Sequence, residues 1–208
     1  TYTPQVNGVV TVLRTLKAGL EERGHKVFII TIYHPDSKPE AGVFRIPSFQ
    51  FPNEPEHRIG FFRRSKVVQV AKTLELDIIH THSEFSLYAA AKLVRRKLGL
   101  PHIHTLHAYY PDYLYYVPLL QPFLQHKLPD IIRQILRKSC CVVAPSKKIQ
   151  DYLIGVGLTT PIKLIPNGID LSPFYEPSPQ STEEIKAFKK LYFINDTDKV
   201  IVFVGRLA

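Results

Sequence analysis

The sequence predicts an α/β fold in which a doubly wound, mainly parallel sheet is covered by helices on both faces. Two observations lead to this prediction. Short apolar or β-branched runs without polar alternation are typical of strands buried on both faces, and amphipathic helical segments lie between these runs. Because helices connect successive strands, the strands should run parallel with right-handed crossovers.

The strands are predicted from apolar runs that polar or chain-breaking residues bound on both sides. Such runs occur at residues 26–32, 77–81, 102–105, 141–144, 162–165 and 199–204. The crossover helices are predicted from apolar residues at helical spacing. Two clear sets are Val9, Val12, Leu13, Leu16 and Leu20, and Leu87, Ala90, Ala91, Val94 and Leu98.

The first eight residues have turn character and lead directly into a predicted helix. A doubly wound domain normally opens with a strand. We therefore expect the first strand of the domain to be missing from this sequence.

Three parts are predicted along the chain. Residues 1–170 form the first domain, and residues 171–181, which contain three prolines, form a linker. Residues 182–208 begin a second domain that is cut short. Its start is marked by a capping box, Ser181 with Glu184, ahead of a helical segment and the predicted strand at 199–204.

Composition limits the function classes. The formal net charge is +9, which indicates an anionic partner such as nucleic acid, a phosphate-bearing substrate or an acidic membrane surface. No apolar run approaches the roughly 20 residues that span a bilayer, and residues 1–4 show no signal-peptide features, so we expect a cytoplasmic protein. The adjacent Cys140 and Cys141 are expected to be reduced and buried.

Unusual polar residues fall at the predicted carboxyl ends of strands, where ligands bind in open parallel sheets. They are Asn7, Gly8, His80, His82, His107 and Ser146. We expect them to converge on one cleft. Asn7-Gly8 opens a helix whose N–H groups suit a diphosphate, although taken in isolation an ordinary Asn-Gly turn that caps a helix is the preferred explanation.

The histidines and Ser146 each have a simpler interpretation. His107 could hydrogen-bond a sugar hydroxyl or could be structural. His80 and His82 could bind a metal such as zinc or iron, but such a site needs further ligands, and the nearby Glu84 more naturally starts a helix. His104 should point away from the site because it lies three residues before His107. Ser146 could simply cap the next helix.

Six short motifs in this order resemble the family-4 retaining glycosyltransferases that are built from two Rossmann domains. They are Thr3-Pro4-Gln5-Val6-Asn7-Gly8-Val9, Asp77-Ile78-Ile79-His80-Thr81-His82, His104-Thr105-Leu106-His107, Ala144-Pro145-Ser146, Ile165-Pro166-Asn167-Gly168-Ile169-Asp170 and Phe203-Val204-Gly205-Arg206-Leu207. Within the family, the opening motif and the aromatic stretch 109–116 look most like bacterial enzymes that glucosylate diacylglycerol.

The resemblance implies a hexose transfer from a donor such as UDP-glucose to a lipid acceptor, with retained configuration and without a metal or other cofactor. By the family pattern, residues 1–170 hold the acceptor, Asn7 and Gly8 approach the donor phosphates, His107 touches the donor sugar, and Arg206 neutralises the leaving diphosphate. His80, His82, Tyr109, Tyr110 and Ser146 are expected on the acceptor side. The family's paired glutamates and lysine follow the arginine, beyond this sequence, so we expect these 208 residues to be inactive alone.

A lipid acceptor calls for a basic, partly apolar membrane-docking face. Two segments are candidates: residues 61–64 with Lys66 and Lys72, and an apolar stripe beside several basic residues. The stripe is Leu128, Ile131, Ile132, Ile135 and Leu136, and its basic neighbours are Lys127, Arg133, Arg137 and Lys138. The apolar side of either segment could instead face the core. We expect peripheral binding at the inner face of the cell membrane.

Three alternatives remain at this point. An enzyme of the same family could act on a soluble sugar or a polysaccharide precursor. A non-catalytic module that binds sugars or anions is a second possibility. A nucleic-acid binder is permitted by the charge, but no nucleic-acid motif is present, and we expect no nucleic-acid partner.

Overall fold

Strands and helices alternate along most of the chain in a computed structural model, which describes residues 2–51, 54–60, 64–84, 86–116, 121–172, 181–201 and 203. The helices are α1 (Gly8–Glu21), α2 (Arg64–Thr73), α3 (Ser86–Leu98), a 3-10 helix (Tyr110–Tyr116), α4 (Gln121–Leu136), α5 (Lys147–Gly155) and α6 (Ser181–Leu191). The strands are β1 (Ile29–Ile32), β2 (Val43–Ile46), β3 (Ser48–Phe51), β4 (Glu54–Gly60), β5 (Ile79–Thr81), β6 (His102–Thr105), β7 (Cys141–Ala144) and β8 (Ile162–Leu164).

Four of these strands form a parallel sheet in the order β5-β6-β7-β8. The register aligns Ile79 with His102, Ile103 with Cys141, and Val142 with Ile162. Helices connect each successive pair, as the sequence predicts for a doubly wound sheet. The carboxyl ends of β5, β6 and β7 therefore lie along one edge, which positions the candidate site.

The segment from residue 43 to residue 60 was not predicted as sheet. It contains β2, which pairs in parallel with β1, and the antiparallel pair β3 and β4. Prolines at positions 47, 52 and 55 interrupt the alternation by which a strand is ordinarily identified. The predicted strand at 26–32 is shorter in the structure and begins at Ile29.

A cavity of about 1090 Å³ separates β1 from β5. Within the described residues these two strands are not paired with each other. Side chains of α1, α2 and α3 complete the lining, among them Leu13, Ala71 and Leu87. The first strand that the sequence analysis expects to be missing stays a prediction.

The core of the first part consists of two apolar clusters. One lies beneath β6 and β7 and contains Leu106, Ile132, Leu136, Val142, Ala144, Ile149 and Leu153. The other lies between α2 and α3 and contains Ile46, Val67, Val68, Ala71, Ala90 and Val94. Both clusters anchor the elements that carry the candidate site.

Helix α4 corrects one sequence interpretation. Of the apolar stripe proposed for membrane contact, Ile132 and Leu136 are core residues, and Leu128 and Ile135 pack against the same cluster. Of the five stripe residues, Ile131 is the exposed one, with 40% of its surface accessible. The stripe therefore faces mainly inward, because helical spacing matches the buried surface. The basic residues Lys127, Arg133, Arg137 and Lys138 are exposed.

The second candidate membrane segment is described in part. Lys66 and Lys72 lie on α2 and are exposed, whereas residues 61–63 lie outside the described residues. Both cysteines are free, but Cys140 is exposed and Cys141 is half-buried. The expectation that they are buried was therefore wrong, because Cys140 lies in the turn before β7 rather than in the strand.

The chain divides into two compact units, Thr1–Ile169 and Asp170–Ala208. The described part of the second unit contains α6, which begins at Ser181 as predicted. The strand predicted at 199–204 is not formed at residues 199–201 and 203, and its other positions lie outside the described residues. None of the helices in the described ranges has the length and hydropathy that a membrane crossing requires.

Candidate active site

Three imidazole rings meet at the carboxyl ends of β5 and β6. His80 and His82 have ring centroids 4.1 Å apart, and His82 and His107 stack at 5.2 Å. His82 Nδ1 lies 2.9 Å from Nε2 of His107, within hydrogen-bond distance. His80 Nε2 contacts the Thr105 hydroxyl at 2.8 Å. The structure therefore brings together three residues that are separated by up to 27 positions in the chain.

These imidazoles are held in the neutral form. Burial lowers the pKa of His82 to about 2, and the neighbouring rings of His80, His107 and His104 add to the effect. Burial also lowers the pKa of His107, although the negative charge of Glu84 opposes this change. A neutral ring carries one N–H donor and one acceptor. The His82–His107 contact is thus an ordinary hydrogen bond between uncharged rings.

His80 lines the cavity between β1 and β5, and its ring is accessible from that side. The surrounding protein still lowers its pKa to about 4, first by burial and then through the neighbouring imidazoles. Among the described residues, no group of three His, Cys, Asp or Glu side chains has a geometry that could hold a metal ion. The contacts observed for His80 and His82 are with Thr105 and His107.

Asn7 is the N-cap of α1. Its side-chain oxygen accepts a hydrogen bond from the Val10 N–H at 3.1 Å, which satisfies one of the free donors at the helix start. The preceding loop is fixed by Arg45, which donates to the Thr3 carbonyl oxygen at 2.8 Å and to the Thr3 hydroxyl at 3.2 Å. The structure therefore shows that Asn7 caps α1, which is the simpler of the two interpretations in the sequence analysis.

Gly8 faces open space. A Cβ placed on Gly8 would meet no atom within 4 Å, so neither packing nor backbone conformation requires glycine at this position. The next residue, Val9, lines the same cavity as His82. The start of α1 and two rings of the histidine cluster, His80 and His82, thus lie around the same cavity.

Tyr109 lies on the β7 side of the histidine cluster. Its ring packs edge-on against Tyr152 of α5 at 5.0 Å, and the Lys148 ammonium lies 4.1 Å from the ring centroid. Lys148 also pairs with Asp112 at 2.6 Å. These contacts hold the loop after β6 against α5, so that Tyr109 and its neighbours border the edge formed by the strand ends.

Ser146 caps α5. Its hydroxyl accepts a hydrogen bond from the Ile149 N–H at 3.4 Å, and its backbone is extended. The structure therefore supports the simpler interpretation that the sequence left open, and it gives no contact between Ser146 and the histidines. Arg206, the remaining predicted site residue, lies outside the described residues.

Glu84 is the residue that sequence reasoning missed. Its carboxylate accepts hydrogen bonds from the Tyr110 hydroxyl and, at 2.8 Å, from Nε2 of His104. Burial alone would raise the pKa of Glu84, but these hydrogen bonds outweigh it and keep the pKa below its ordinary value. A carboxylate just after a predicted strand end was the available signal, but it was interpreted as the start of α3.

His104 lies on the opposite face of β6 from the His80–Thr105 contact, as strand alternation predicts. It is fully buried, and its ring meets Tyr88 of α3 edge-on at 5.3 Å. His104 Nδ1 contacts the Thr81 hydroxyl at 2.7 Å, and the same hydroxyl contacts Nε2 of His102 at 2.8 Å. A chain of buried polar groups therefore runs from Tyr110 through Glu84 into the sheet.

The comparison with known protein families identifies the family of this chain. A model of Glycosyltransferase Family 4 matches residues 6–173. The chain belongs to this family. The match includes every predicted site residue apart from Arg206, and it agrees with the resemblance carried by the sequence motifs.

Family 4 relatives with curated names include two that are 35% identical over the whole chain. Both are named alpha-monoglucosyldiacylglycerol synthase, one from Streptococcus pneumoniae and one from Acholeplasma laidlawii. The chain spans 47% and 54% of these two proteins, that is, about half of their length. A GDP-mannose-dependent alpha-mannosyltransferase from Corynebacterium glutamicum is 29% identical, and the chain covers 49% of it.

A solved structure of sucrose-phosphate synthase from Thermosynechococcus elongatus has a similar fold. The TM-score is 0.50 at 17% sequence identity, and the match covers 86% of this chain and 93% of that chain. At this identity the likeness concerns the fold alone. It confirms the predicted doubly wound, Rossmann-like architecture of the family 4 domain.

Proposed function

We propose that the full-length protein transfers glucose from UDP-glucose to diacylglycerol with retention of configuration. The observation that carries the proposal is the cluster of His80, His82 and His107 at the ligand-binding edge of a family 4 domain. The names of the two relatives at 35% identity support the choice of glucose and diacylglycerol. Glucose is α-linked in UDP-glucose, so an α-linked product corresponds to retention.

On the donor side, Asn7 and Gly8 approach the diphosphate. The open space at Gly8 allows a phosphate to reach the N–H groups at the start of α1, whose partial positive charge favours an anion. Negative charge grows on the diphosphate as the sugar leaves, and donors already in place lower the barrier. We assign Arg206 to the same task and no metal ion to the reaction.

His107 is assigned to the donor sugar. Its Nε2 is engaged with His82, so Nδ1 is the nitrogen that we assign to a sugar hydroxyl near the reacting carbon. Because burial keeps the ring neutral, it would contribute a hydrogen bond rather than a positive charge. His80, His82, Tyr109, Tyr110 and Ser146 are assigned to the acceptor side, with Tyr110 and Ser146 already engaged in structural hydrogen bonds.

For a lipid acceptor, we propose that the protein binds peripherally to an anionic membrane surface at the inner face of the cell membrane. The exposed side of α4 supports this proposal better than its predicted apolar stripe. Phe123 is 64% exposed and Ile131 is 40% exposed, and the exposed Lys127 lies between them at a spacing of four residues. Exposed apolar and basic side chains on one helix face suit a membrane interface.

A second candidate is transfer to a soluble sugar or a polysaccharide precursor by an enzyme of the same family. The relatives named GDP-mannose-dependent alpha-mannosyltransferase are similar over the whole chain, and their name gives a different donor, so similarity alone does not fix the substrates of this chain. A module that binds sugars or anions without catalysis is the remaining alternative. A transferase assay separates the three.

The experiment is an assay of the full-length protein with UDP-glucose or GDP-mannose and a panel of acceptors, including diacylglycerol in micelles. We expect α-glucosyl diacylglycerol from UDP-glucose. Product with a soluble acceptor alone would favour the second candidate, whereas product from GDP-mannose but not from UDP-glucose would contradict the proposed donor. Donor binding without any product would favour the non-catalytic module.

A further inference from the structure

We infer that Glu84 is a positioning residue, which holds His107 in its place against His82 by fixing the loop that carries it. This inference rests on the proposed function for its kinetic consequence. It concerns the β5 loop (residues 82–84) and the β6 loop (residues 106–109), which lead to α3 and to the 3-10 helix, respectively.

Two side-chain hydrogen bonds join the two loops side by side. His82, at the start of the β5 loop, contacts His107 at 2.9 Å. Glu84, at its end, accepts from the hydroxyl of Tyr110, the first residue after the β6 loop. Because His107 lies three residues before Tyr110, the second bond limits how far the loop around His107 can move from His82.

Glu84 is suited to this task because it is itself held firmly. The side chain of Glu84 is 10% exposed, and its other oxygen is bonded to the fully buried His104 on β6. A charged hydrogen-bond acceptor in such surroundings binds more strongly than a neutral one. Tyr110 is thereby tied to the sheet rather than to a mobile surface group.

The hydrogen bond to Glu84 also determines which nitrogen of His104 carries the proton, and this affects the contacts with Thr81 and His102. When His104 donates from Nε2 to Glu84, its Nδ1 can accept from the Thr81 hydroxyl, whose oxygen in turn accepts from Nε2 of His102. This leaves His102 Nδ1 as a bare acceptor, and that atom has no partner among the described residues. A buried acceptor is easier to leave unpaired than a buried donor. The negative charge of Glu84 therefore requires the proton on Nε2 of His104, and this order agrees with the unpaired Nδ1 of His102.

The apolar end of the β6 loop is fixed independently. Leu106 is fully buried, and its N–H donates to the Val143 carbonyl oxygen at 3.1 Å. His107 thus lies between two anchors, Leu106 in the core and Tyr110 on Glu84. Loss of the second anchor leaves the sheet and the packing of Tyr109 against Tyr152 intact, but it allows His107 to shift relative to the β5 loop.

The test uses the full-length protein with Glu84→Gln, Tyr110→Phe and the double variant. The matched control is Glu40→Gln, because Glu40 also accepts a hydrogen bond from a tyrosine, Tyr2, at 3.1 Å, in a different part of the fold. Displacement of a reacting group by about 1 Å can cost roughly 100-fold in rate. We expect each single variant to lower kcat by roughly 10- to 100-fold with little change in KM for the donor, and Glu40→Gln to resemble wild type.

The double variant should be no slower than the slower single variant, since both substitutions remove the same contact. A second measurement does not depend on activity: the ring ¹⁵N signals of His82 and His107 should shift in Glu84→Gln and Tyr110→Phe but not in Glu40→Gln. Tyr110→Phe removes a single oxygen atom, and it decides the question if Glu84→Gln does not fold.

Unchanged ring signals in folded Tyr110→Phe, or wild-type kcat in this variant, would overturn the inference. If the wild-type protein transfers no sugar but the ring signals shift as expected, the positioning role stands and the proposed function fails. If the wild-type protein transfers glucose but the ring signals do not shift in the variants, the proposed function stands and the positioning role fails.

Discussion

Three histidines at the carboxyl edge of the sheet are kept uncharged by burial and by their closeness to other imidazoles. His80, His82 and His107 contact one another or Thr105, and burial lowers the pKa of each. Neutral rings can donate and accept hydrogen bonds without attracting the diphosphate away from the start of α1. Charge for the leaving group must then come from other groups, and helix N–H groups and Arg206 are the ones that we propose.

Gly8 offers a clean test of ligand approach at the start of α1. Because a Cβ at this position would meet no atom within 4 Å, Gly8→Ala should leave the free energy of unfolding unchanged or raise it by up to about 1 kcal/mol. A methyl group would nevertheless obstruct a phosphate at the N–H groups. We expect KM for UDP-glucose to rise at least about tenfold, or 1.4 kcal/mol, in steady-state kinetics. An unchanged KM would remove Gly8 from the donor site.

His102 should make stability depend on pH. Burial, and next the charge of neighbouring groups, lowers its folded-state pKa to about 4, compared with 6.5 when unfolded. Between these pH values the unfolded chain binds a proton that the folded chain does not, so stability falls as the pH drops from 6.5 towards 4. His102 contributes up to about 1.4 kcal/mol per pH unit to this loss.

Urea unfolding of wild type and His102→Gln at several pH values from 7 to 4 measures this contribution. Glutamine can still donate to Thr81 but does not titrate. The variant should therefore lose less stability per pH unit, by about 1.4 kcal/mol at most. Equal slopes for the two proteins would show that His102 is protonated in the folded state.

At the scale of elements, the sequence was most informative where strands are buried on both faces. Residues 102–105 and 141–144 were predicted with the bounds that the structure shows. Residues 141–144 are an uninterrupted apolar run, and residues 102–105 follow Pro101 and contain the β-branched Ile103 and Thr105. The hairpin of β3 and β4 was missed, because its prolines and charges give no such run. The apolar stripe on α4 was correctly predicted to form one face of a helix. Periodicity alone, however, cannot show whether such a face packs against the protein core or against a membrane.

Helix α4 carries the membrane prediction. Lys127→Glu combined with Phe123→Ser should reduce sedimentation of the full-length protein with vesicles that contain anionic lipid, because the pair removes charge attraction and an exposed apolar contact. The matched control is Ile154→Ser, which removes a side chain that is 59% exposed on α5. Equal binding of all three proteins, or equal binding to neutral and anionic vesicles, would exclude this face of α4.

Considered as a whole, the molecule places its chemistry where a parallel sheet dictates. The sequence could predict that His80, His82 and His107 share an edge, because strand order and direction follow from the alternation of helices and strands. It could not predict the contact between Glu84 and Tyr110, which depends on the path of two loops across that edge. The chain spans about half of its curated relatives, so the complete reaction has to be measured on the full-length protein.

Turnover of His107→Ala, in the full-length protein with UDP-glucose and diacylglycerol, tests the central claim most directly. The claim is that the carboxyl ends of β5 and β6 form the reaction site. The control is His25→Ala, since His25 is exposed in the turn after α1. We predict that His107→Ala lowers kcat by about 100-fold or more while the protein stays folded at the assay temperature, and that His25→Ala matches wild type. Wild-type turnover in folded His107→Ala would contradict the account.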